Sequence, residues 1–390
     1  MKIAVIGAKG LPAKQGGIEH YCEALYPKIV EQGHCVDLFA RSSYMNKPWF
    51  SVSQHKGMRI ICLPSMPIRG LDAFTSSCFA ALLASRKNYD IIHFHALGPG
   101  LFSIIPRLLT PAKIIVTCHG LDWQRLKWGK LASKIIQLGE KTAAIYAHEI
   151  VVVSKALKTY FAETHQIRPI YIPNGPGIYA ESDPHLGSVK SLGLTPKKYL
   201  LYLGRLVPEK RPAFLIQAFQ ILENTGWKLV LAGGDSDTSA FTNKLHQLAK
   251  GNPNIVFTGE LEGKRLAEIV KGAGLFVSPS NLEGLPLTVL EAMREGIPVI
   301  ASDIAPHQQL LESDRGLLFD SKNVLACAQA LEQGMLYPED LAAMAKKAQA
   351  HVQANYDWSK ITADNLTVYA RDFGLIEESV DSTSLLVKNP

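Results

Sequence analysis

Two carboxylates flank the start of a predicted helix in the second half of the chain. Glu283 lies in the loop after the apolar run 274–277, and Glu291 lies about one and a half turns inside the helix that begins near Pro286. A helix N-terminus has free N–H groups and a positive dipole end, which together bind phosphate. The pattern therefore predicts a cradle for a diphosphate with a hydroxylated sugar at either end. The alternative is that both glutamates lie on a solvated helix face.

Two cations follow another predicted strand of the same half. Arg205 and Lys210 come directly after the apolar run 199–204. Cations at this place can neutralise a diphosphate and stabilise the charge that builds on it as it leaves. They could also be exposed side chains of an ordinary loop. Their position after a strand favours the binding role, because ligands of parallel sheets bind at the carboxyl ends of the strands.

A pair of glycines follows the first predicted strand. Gly16 and Gly17 would let bare backbone approach a ligand closely, and the next helix adds its N-terminal dipole. The dinucleotide pattern GxGxxG is absent, because Gly7 and Gly10 have the wrong spacing. This absence counts against an NAD-dependent enzyme.

A histidine and an aspartate follow the predicted strand 113–118. His119 could donate a hydrogen bond to a sugar hydroxyl or to developing charge, and Asp122 could orient an acceptor. The alternative is that both residues cap the next helix.

The segment Trp123 to Lys141 has the pattern of a basic amphipathic helix. Helices of this kind with a tryptophan bind the interface of anionic membranes. The alternative is a surface helix whose apolar stripe packs into the core. The apolar residues are Trp123, Leu126, Leu131, Ile135 and Leu138, and the basic ones are Arg125, Lys127, Lys130, Lys134 and Lys141.

These residues belong to two successive series of alternating strands and helices. This alternation predicts two doubly wound parallel sheets with the active site in the cleft between them. We expect a first domain over residues 1–175, a second over 176–355, a helix over 356–374 that crosses back, and a mobile tail over 375–390. The helix after Glu283 is expected to bury the stripe Leu285, Val289, Ala292 and Met293.

The composition describes a folded protein with an uneven charge. Of the 390 residues, 47% are hydrophobic and 19% charged. Residues 1–175 carry 21 Lys and Arg against 10 Asp and Glu, whereas the remainder carries 20 against 25. The basic first half is therefore expected to meet something anionic. No transmembrane segment or signal peptide is recognised, and six scattered cysteines predict reduced thiols in the cytosol and no metal cluster.

The stretch from Glu283 to Glu291 resembles the E-x7-E motif of the family-4 retaining glycosyltransferases. The resemblance extends over the chain to about residue 373 and implies the GT-B fold, an α/β architecture of two Rossmann-like domains facing across a cleft. It also implies a nucleotide-diphosphate sugar in that cleft, retention at the anomeric carbon, and no required metal or other cofactor. The other matching residues, in the family's order, are Gly16-Gly17, His119-Gly120, Pro173-Asn174-Gly175, Gly204-Arg205 and Lys210.

The resemblance assigns roles in the second domain to residues of the motif. Glu291 would bind the hydroxyls of the nucleotide ribose, and Glu283 would contact the donor hexose. Arg205 and Lys210 would hold the diphosphate. The backbone beside the donor would be that of Gly284, Leu285, Pro286 and Leu287.

The resemblance also assigns roles in the first domain. Gly16 and Gly17 would approach the diphosphate, and His119 would touch the donor sugar. The segment around Trp358 would cross back onto the first domain. Together with Glu283, Arg205 and Lys210, His119 completes the expected catalytic set.

We therefore hypothesise a hexosyltransferase that takes a nucleotide sugar and a hydroxyl acceptor. UDP-hexose is the default donor, with UDP-glucose favoured and GDP-mannose and dTDP-rhamnose left open. The acceptor is expected to be lipid-linked or a growing surface polysaccharide, because of the basic amphipathic segment. The protein is expected to be cytoplasmic, with an anionic membrane surface at the inner face of the plasma membrane as a further partner and no nucleic acid.

Three other functions compete with this hypothesis. A nucleotide-sugar epimerase of the same two-domain architecture would convert the donor without an acceptor. A glycosidase would need Glu283 and Glu291 on either side of one bond, whereas both lie on one element. A binding module without catalysis would not need the full set of charged residues in the cleft.

Overall fold

The structure is a computed structural model of the chain. It describes residues 1–13, 16–66, 68, 70–125, 128–222, 225–234 and 239–371. The predicted mobile tail over 375–390 lies outside the described residues, as do residues 372–374 of the predicted crossing helix.

The first half folds around one sheet, whose strands are β1 (Lys2–Ile6), β2 (Cys35–Arg41), β3 (Val52–His55), β4 (Met58–Leu63), β5 (Ile91–His95), β6 (Lys113–Cys118), β7 (Glu149–Val152) and β8 (Ile170–Tyr171). Their order across the sheet is β3-β4-β2-β1-β5-β6-β7-β8. All pairs are parallel except β3 with β4, an antiparallel edge that the sequence did not indicate. The central strand β1 is buried on both faces, which explains its unbroken apolar sequence.

Helices cover both faces of this sheet. Two 3₁₀ turns, Leu101–Ser103 and Asp122–Gln124, interrupt the connections on either side of β6. The helices are α1 (Gly17–Glu31), α2 (Ser42–Met45), α3 (Leu71–Ala84), α4 (Leu97–Gly100), α5 (Ile104–Leu109), α6 (Lys130–Tyr146) and α7 (Lys155–His165).

The second half folds around a six-stranded sheet, whose strands are β9 (Tyr199–Leu203), β10 (Lys228–Ala232), β11 (Ile255–Gly259), β12 (Leu275–Ser278), β13 (Val299–Ser302) and β14 (Leu317–Phe319). The order β11-β10-β9-β12-β13-β14 is the doubly wound order of dinucleotide-binding sheets, and every neighbouring pair is parallel. The strand order reverses between β9 and β12, so a ligand is expected at the loops that follow these two strands.

The helices of the second half complete the layers around that sheet. They are α8 (Gly187–Ser191), α9 (Pro212–Ile221), α10 (Ser239–Leu248), α11 (Gly263–Gly272), α12 (Leu287–Arg294), α13 (Ala305–Leu311), α14 (Val324–Leu336) and α15 (Pro338–Asn355), with a 3₁₀ turn at Pro208–Lys210. The predicted α/β architecture with two doubly wound units is thus confirmed.

The last described helix, α16 (Trp358–Ala370), packs on the first half of the chain. Asp357 caps it by accepting hydrogen bonds from the amides of Ser359 (2.8 Å) and Lys360 (3.2 Å). Lys113 of β6 donates to the carbonyl of Val368 at 2.8 Å. The indole N–H of Trp358 donates to the Pro176 carbonyl at 3.0 Å, so the start of the helix holds the connection between the two halves.

Candidate functional site

The loops that carry the predicted residues meet between the two sheets. The backbone of Gly284, after β12, packs against His119 and Gly120, after β6, so closely that a Cβ on Gly284 would collide with the His119 carbonyl oxygen. Gly17, at the start of α1, faces the Leu287 side chain at the start of α12. The carboxyl edges of the two sheets therefore face each other across one cleft, and the predicted residues lie along it.

Glu283 and Lys210 form an ion pair in this cleft. The Lys210 ammonium lies 3.0 Å from Glu283 Oε1, and both side chains are largely buried. The hydroxyl of Ser280 donates to the same carboxylate oxygen at 2.7 Å. Burial raises the pKa of Glu283, but the charge of Lys210, the nearby His307 and these hydrogen bonds outweigh it and hold the pKa below its ordinary value. Glu283 is therefore a fixed carboxylate that accepts hydrogen bonds, as a contact for sugar hydroxyls requires.

The loop that carries Glu283 is held by a buried histidine that the sequence reading missed. His307 is fully buried, and its Nε2 lies 3.1 Å from the hydroxyl of Ser278. Its Nδ1 lies 3.0 Å from the hydroxyl of Ser302, which in turn donates to the Ser280 carbonyl. Burial lowers the pKa of His307 to about 4, so it is neutral near neutral pH and acts as a structural hydrogen-bonding group.

Arg205 lies on the same edge as Lys210. It follows β9 directly and is half-buried, and its carbonyl accepts a hydrogen bond of 2.8 Å from the Tyr202 hydroxyl. This bond fixes the backbone from which the guanidinium extends. The strand order places Arg205 and Lys210, after β9, next to the loop after β12, as the predicted diphosphate site requires.

Helix α12 follows the loop that carries Glu283, as predicted, but it starts one residue later than expected. Pro286 is the residue before the helix, and its carbonyl accepts from the amides of Val289 (3.1 Å) and Leu290 (3.2 Å). The helix begins at Leu287 because the ψ of Pro286, 91°, is not helical. The expected buried stripe is confirmed, with Leu285, Val289, Ala292 and Met293 at most 7% exposed.

Glu291, inside α12, contacts the connection between the two halves. Its Oε2 accepts a hydrogen bond of 2.7 Å from the hydroxyl of Tyr179, and its Oε1 accepts one of 3.2 Å from the amide of Gly177. Arg294 donates to the Gly177 carbonyl and lies against the Tyr179 ring. Burial raises the pKa of Glu291, and the hydrogen bonds from Tyr179 and Gly177 offset this only in part. Each carboxylate oxygen has a second lone pair, so Glu291 can accept a further hydroxyl.

The glycine loop of the first half is tied down by carboxylates of α1. Glu19 is buried, and its Oε1 accepts from the amide of Lys9 at 2.7 Å. Gly16 has a φ of 108°, and a Cβ there would collide with Glu19 Oε2. One turn later, Glu23 accepts from the amide of Ala13 at 2.9 Å. The sequence reading singled out the glycines but missed Glu19, although it directly follows Gly16-Gly17-Ile18.

His119 is the half-buried end of a chain of histidines whose other members are fully buried. Its Nε2 lies 3.0 Å from Nδ1 of His95, and Nε2 of His95 lies 2.7 Å from the hydroxyl of Tyr26. The Tyr26 hydroxyl also lies 3.1 Å from Nδ1 of His93. The same Nδ1 of His93 lies 2.8 Å from the hydroxyl of Tyr369 in α16. We call His93, His95 and His119 the histidine chain.

The histidine chain is uncharged. Burial, together with the charge of the nearby Arg125, lowers the pKa of His119 to about 3. Burial, followed by the proximity of His119, lowers the pKa of His93 to about 3 as well. Nδ1 of His119 is shielded from solvent and has no hydrogen-bond partner among the described residues. His119 can therefore act on a ligand as a neutral hydrogen-bonding group or through its backbone, but not as a cation.

Asp122 is close to His119 in sequence but has a partner of its own. It starts the 3₁₀ turn Asp122–Gln124, and its Oδ1 lies 3.0 Å from Nε of Arg125. The next residue, Trp123, donates from its indole N–H to Glu140 at 2.8 Å, which fixes this turn against α6. The turn is therefore fixed against α6, shortly after the His119-Gly120 backbone that packs on Gly284.

Two family models match the chain, one on each half. The model described as "Glycosyltransferase Family 4" matches residues 15–176, and the model described as "Glycosyl transferases group 1" matches residues 188–351. The chain belongs to glycosyltransferase family 4. This confirms the resemblance that the E-x7-E stretch indicated.

Relatives of this transferase match it along nearly its full length. A D-inositol 3-phosphate glycosyltransferase of Gordonia bronchialis is 24% identical over 95% of this chain and 88% of its own. An uncharacterized glycosyltransferase of Methanocaldococcus jannaschii is 24% identical over 95% and 98%.

Solved structures confirm the GT-B fold. The sucrose-phosphate synthase of Thermosynechococcus elongatus is similar with a TM-score of 0.82 at 24% identity, covering 94% of this chain and 98% of that one. Anabaena HepE in complex with UDP-glucose is similar with a TM-score of 0.77 at 20% identity, covering 94% and 100%.

The structure contradicts the prediction of one continuous basic amphipathic helix over Trp123 to Lys141. The turn that contains Trp123 ends at Gln124, and α6 begins only at Lys130. Gly129 lies directly before α6 in an extended conformation, so it starts a new helix and does not continue one. Trp123 is bonded to Glu140 and does not lie on the apolar stripe, and Leu126 and Lys127 are outside the described residues.

Of the predicted stripe within α6, Leu131 and Leu138 are exposed and Ile135 is half-buried, so the stripe does not pack fully into the core. Leu131 and Leu138 of α6 are 75% and 54% exposed, and Ile145 one further heptad along is 70% exposed. At 100° per residue these three positions, with Lys134 and Lys141, fall within about a third of the helix circumference. The neighbouring α5 ends in Leu108 and Leu109, 70% and 65% exposed. We call these residues of α5 and α6, together with Lys130, the α5–α6 surface.

Proposed function

We propose that this family-4 transferase moves a hexose from UDP-hexose, with UDP-glucose as the first candidate, to a hydroxyl group of an acceptor. The observation that carries the proposal is the ion pair of Lys210 with Glu283, beside Arg205 and opposite His119. It combines cations for a diphosphate with a carboxylate for sugar hydroxyls at one point of the cleft.

The donor would lie with its nucleotide toward Glu291 and its sugar toward Glu283. Glu291 lies near the connection between the halves, beside Gly177 and Tyr179, and has lone pairs left for ribose hydroxyls. Glu283 lies at the loop that touches His119 and Gly120, where acceptor and donor sugar would meet. The diphosphate would lie between them at the start of α12.

The proposed reaction breaks the bond between the anomeric carbon and the phosphate oxygen of UDP. Arg205 and Lys210 stabilise the negative charge on the departing diphosphate, without a metal ion. The acceptor oxygen attacks from the same face, so that the configuration at the anomeric carbon is retained. Its proton passes to the departing phosphate oxygen, and UDP and the new glycoside are the products.

UDP is proposed as the nucleotide on the strength of structural relatives. Anabaena HepE, with the same fold, has been crystallised with UDP, with UDP and glucose, and with UDP-glucose. GDP-mannose and dTDP-rhamnose are the alternatives, and the donor experiment below includes both.

The acceptor is proposed to be lipid-linked or a growing surface polysaccharide at the cytoplasmic face of the plasma membrane. The α5–α6 surface supports this, because exposed leucines interleaved with lysines fit the interface of an anionic membrane. Among the described residues, no helix combines the length and apolar character that crossing a bilayer requires. Contact with a membrane would therefore be peripheral for this part of the chain.

The donor proposal is tested by thermal unfolding with UDP, GDP, dTDP and their sugars in the presence of EDTA. A ligand that binds only the native state stabilises it by about 2.7 kcal/mol at a hundred times its Kd. We expect UDP and UDP-glucose to raise the midpoint and the other two nucleotides to do so less. If all three nucleotides leave the midpoint unchanged, the proposed donor site is wrong.

A second experiment incubates the protein with UDP-glucose in the absence of an acceptor and measures what becomes of the UDP-glucose. We expect UDP-glucose to stay largely intact. Conversion to an epimer of the sugar would instead support a nucleotide-sugar epimerase and contradict the proposed transfer.

A further inference from the structure

A wide-open surface cavity lies in the first half of the chain, and its lining is more apolar than polar. It has a volume of about 800 Å³, and its lining includes Ser42, Ser43, Asn46, Lys47, Trp49 and Ser65. These residues follow β2 and β4, so the cavity opens at the same carboxyl edge of the sheet as the glycine loop after β1. None of them belongs to the donor site described above.

The cavity is joined to the glycine loop by direct contacts. The amide of Arg41 donates to the Lys9 carbonyl at 2.8 Å, and the Lys9 ammonium lies 6.0 Å from the centre of the Tyr44 ring. Gly10 packs against Met45. Strands β2 and β4 are one and two positions from β1, or roughly 5 and 10 Å away. A chain of one or two sugar rings could therefore extend from the donor cleft into the cavity.

Three serines at the floor of the cavity form an ordered chain of hydroxyls. The Ser65 hydroxyl accepts from the Ser43 amide at 2.9 Å, lies 3.2 Å from the Ser42 hydroxyl, and donates its proton to the Ser43 hydroxyl at 2.8 Å. Ser42 and Ser65 are buried, whereas Ser43 is exposed. Because Ser43 accepts from Ser65, its own proton remains available for donation to a further acceptor. The exposed amide of Asn46 and ammonium of Lys47 add further donors.

The wall of the cavity is an exposed tryptophan on a fixed backbone. The Trp49 side chain is 64% exposed. The next amide, that of Phe50, donates to the Cys62 carbonyl at 2.7 Å, and the Ser51 hydroxyl donates to the Pro48 carbonyl at 2.7 Å. These bonds fix the backbone that carries Trp49, and the indole itself remains open to solvent. An exposed indole offers a flat apolar face on which a flat partner can stack, and it has only two side-chain torsions to fix on binding.

We propose that this cavity binds a saccharide unit of the acceptor, with a pyranose ring on Trp49 and its hydroxyls bonded to Ser43, Asn46 and Lys47. The inference rests on the proposed function, because it extends the acceptor away from the hydroxyl that reacts. A saccharide fits the combination of one flat apolar surface with several hydrogen-bond donors. A lipid surface does not, because the serines and Asn46 would have to lose their water without gaining partners.

The test uses the full chain labelled with 5-fluorotryptophan and observed by ¹⁹F NMR. The chain contains five tryptophans, and the spectrum of Trp49→Phe identifies the Trp49 signal. The probes are the methyl glycosides of glucose, galactose, mannose, N-acetylglucosamine and rhamnose, with maltose, lactose and cellobiose. We expect at least one probe to shift the Trp49 signal in a saturable way. Ser43→Ala should weaken the binding of that probe by about tenfold.

The matched control is Phe50→Ala, which removes a neighbouring aromatic residue, 56% exposed, that does not line the cavity. This variant should bind the saccharide as the wild type does. If no probe shifts the Trp49 signal, or if Phe50→Ala weakens binding as much as Ser43→Ala, the saccharide site is wrong. A Trp49 signal that responds only to anionic phospholipid vesicles would also overturn it and assign the loop to membrane contact.

Binding of UDP to Ser43→Ala separates this inference from the proposed function. Unchanged UDP affinity with weakened saccharide binding supports the saccharide site. If the wild type binds a saccharide at Trp49 but binds no nucleotide, the donor proposal fails while the site itself stands.

Discussion

The two glutamates of the E-x7-E stretch differ in how their charges are balanced. Glu283 is paired with the Lys210 ammonium, and its pKa is lowered although the carboxyl is buried. Glu291 is bonded to the neutral Tyr179 hydroxyl and Gly177 amide, and its pKa is raised by burial. Glu283 is therefore suited to a position beside groups whose charge changes during a reaction. Glu291 is suited to binding a ligand hydroxyl that takes no part in the reaction.

Replacing Arg205 by alanine tests whether this residue binds and stabilises the departing diphosphate. Loss of one cation that stabilises the departing diphosphate should lower kcat by about a hundredfold. Arg205 is a cleaner target than Lys210, because removing Lys210 also leaves the buried Glu283 without its partner. The measurement is steady-state release of UDP.

The control for this prediction is Arg86→Ala, which removes an exposed arginine between α3 and β5, at the edge of the first sheet opposite to the cleft. It should leave kcat unchanged. An Arg205→Ala variant with an unaltered unfolding temperature and a near-normal kcat would refute the role of Arg205 in stabilising the diphosphate.

Some of these residue assignments were readable in the sequence, and others depended on neighbours far along the chain. The glutamates, the cations and the glycine pair follow predicted strands or start helices, so local patterns located them. Tyr179 gave no such signal, because its contact with Glu291 spans 112 positions. His93 and His95 have the spacing of one strand face, but only the neighbouring β6 and α16 show that they form a chain with His119.

At the scale of elements, the histidine chain connects β5, β6, α1 and α16. A buried neutral histidine binds no proton until the pH approaches its folded pKa, about 3 for His93, whereas the ordinary value is 6.5. Between these values the unfolded chain binds more protons than the native one. The free energy of unfolding should therefore fall as the pH falls below about 6.5, by about 1.4 kcal/mol per pH unit for each such histidine.

His93→Asn should remove the contribution of His93 to this pH dependence of the free energy of unfolding. We expect the free energy of unfolding, measured in urea from pH 7 to pH 5, to depend less steeply on pH in the variant, although its value at pH 7 is lower. His185→Asn, on the exposed surface, is the control and should keep the wild-type slope. Equal slopes in the wild type and His93→Asn would show that His93 takes up a proton in the native state.

The α5–α6 surface makes a prediction at the same scale. Changing Lys130, Lys134 and Lys141 to glutamate should abolish binding to anionic vesicles, because each basic residue near such a surface contributes about 1 kcal/mol. Wild-type binding should weaken as salt is added. Sedimentation with vesicles of anionic and of neutral phospholipid measures both effects.

Three lysines outside this surface provide the control for charge alone. Glutamate at Lys158, Lys190 and Lys250, which are exposed elsewhere on the chain, should leave vesicle binding nearly unchanged. Equal loss of binding in both triple variants, or no binding by the wild type, would rule out the α5–α6 surface as the membrane contact.

The elements themselves were predicted well wherever one local pattern decided them. The parallel strands carry apolar runs because both faces are buried, and these runs located them. The edge strand β3 was missed because its sequence, Val52-Ser53-Gln54-His55, is half polar and only one neighbour pairs with it. The segment before α6 was misread because apolar spacing alone did not reveal the break at Gly129.

At the scale of the whole molecule, the cleft depends on contacts between the two halves. Trp358 packs its indole against Gly175 so closely that a Cβ there would lie 2.6 Å from the ring, and it bonds the Pro176 carbonyl. Two residues further on, Gly177 reaches Glu291. The connection between the halves would therefore form part of the wall of the proposed nucleotide site. This explains why residues from one sheet alone do not define the site.

The orientation of the donor in this cleft is the central claim, and calorimetric titration with plain UDP tests it most directly. A hydrogen bond from a ribose hydroxyl to a carboxylate contributes about 1.5–3 kcal/mol, so Glu291→Gln should weaken UDP binding about tenfold or more. Glu283→Gln is the matched change at the other end of the motif and should leave UDP affinity close to that of the wild type while impairing turnover of UDP-glucose. If Glu291→Gln binds UDP as tightly as the wild type, or if Glu283→Gln is the variant that loses UDP, the proposed orientation is wrong.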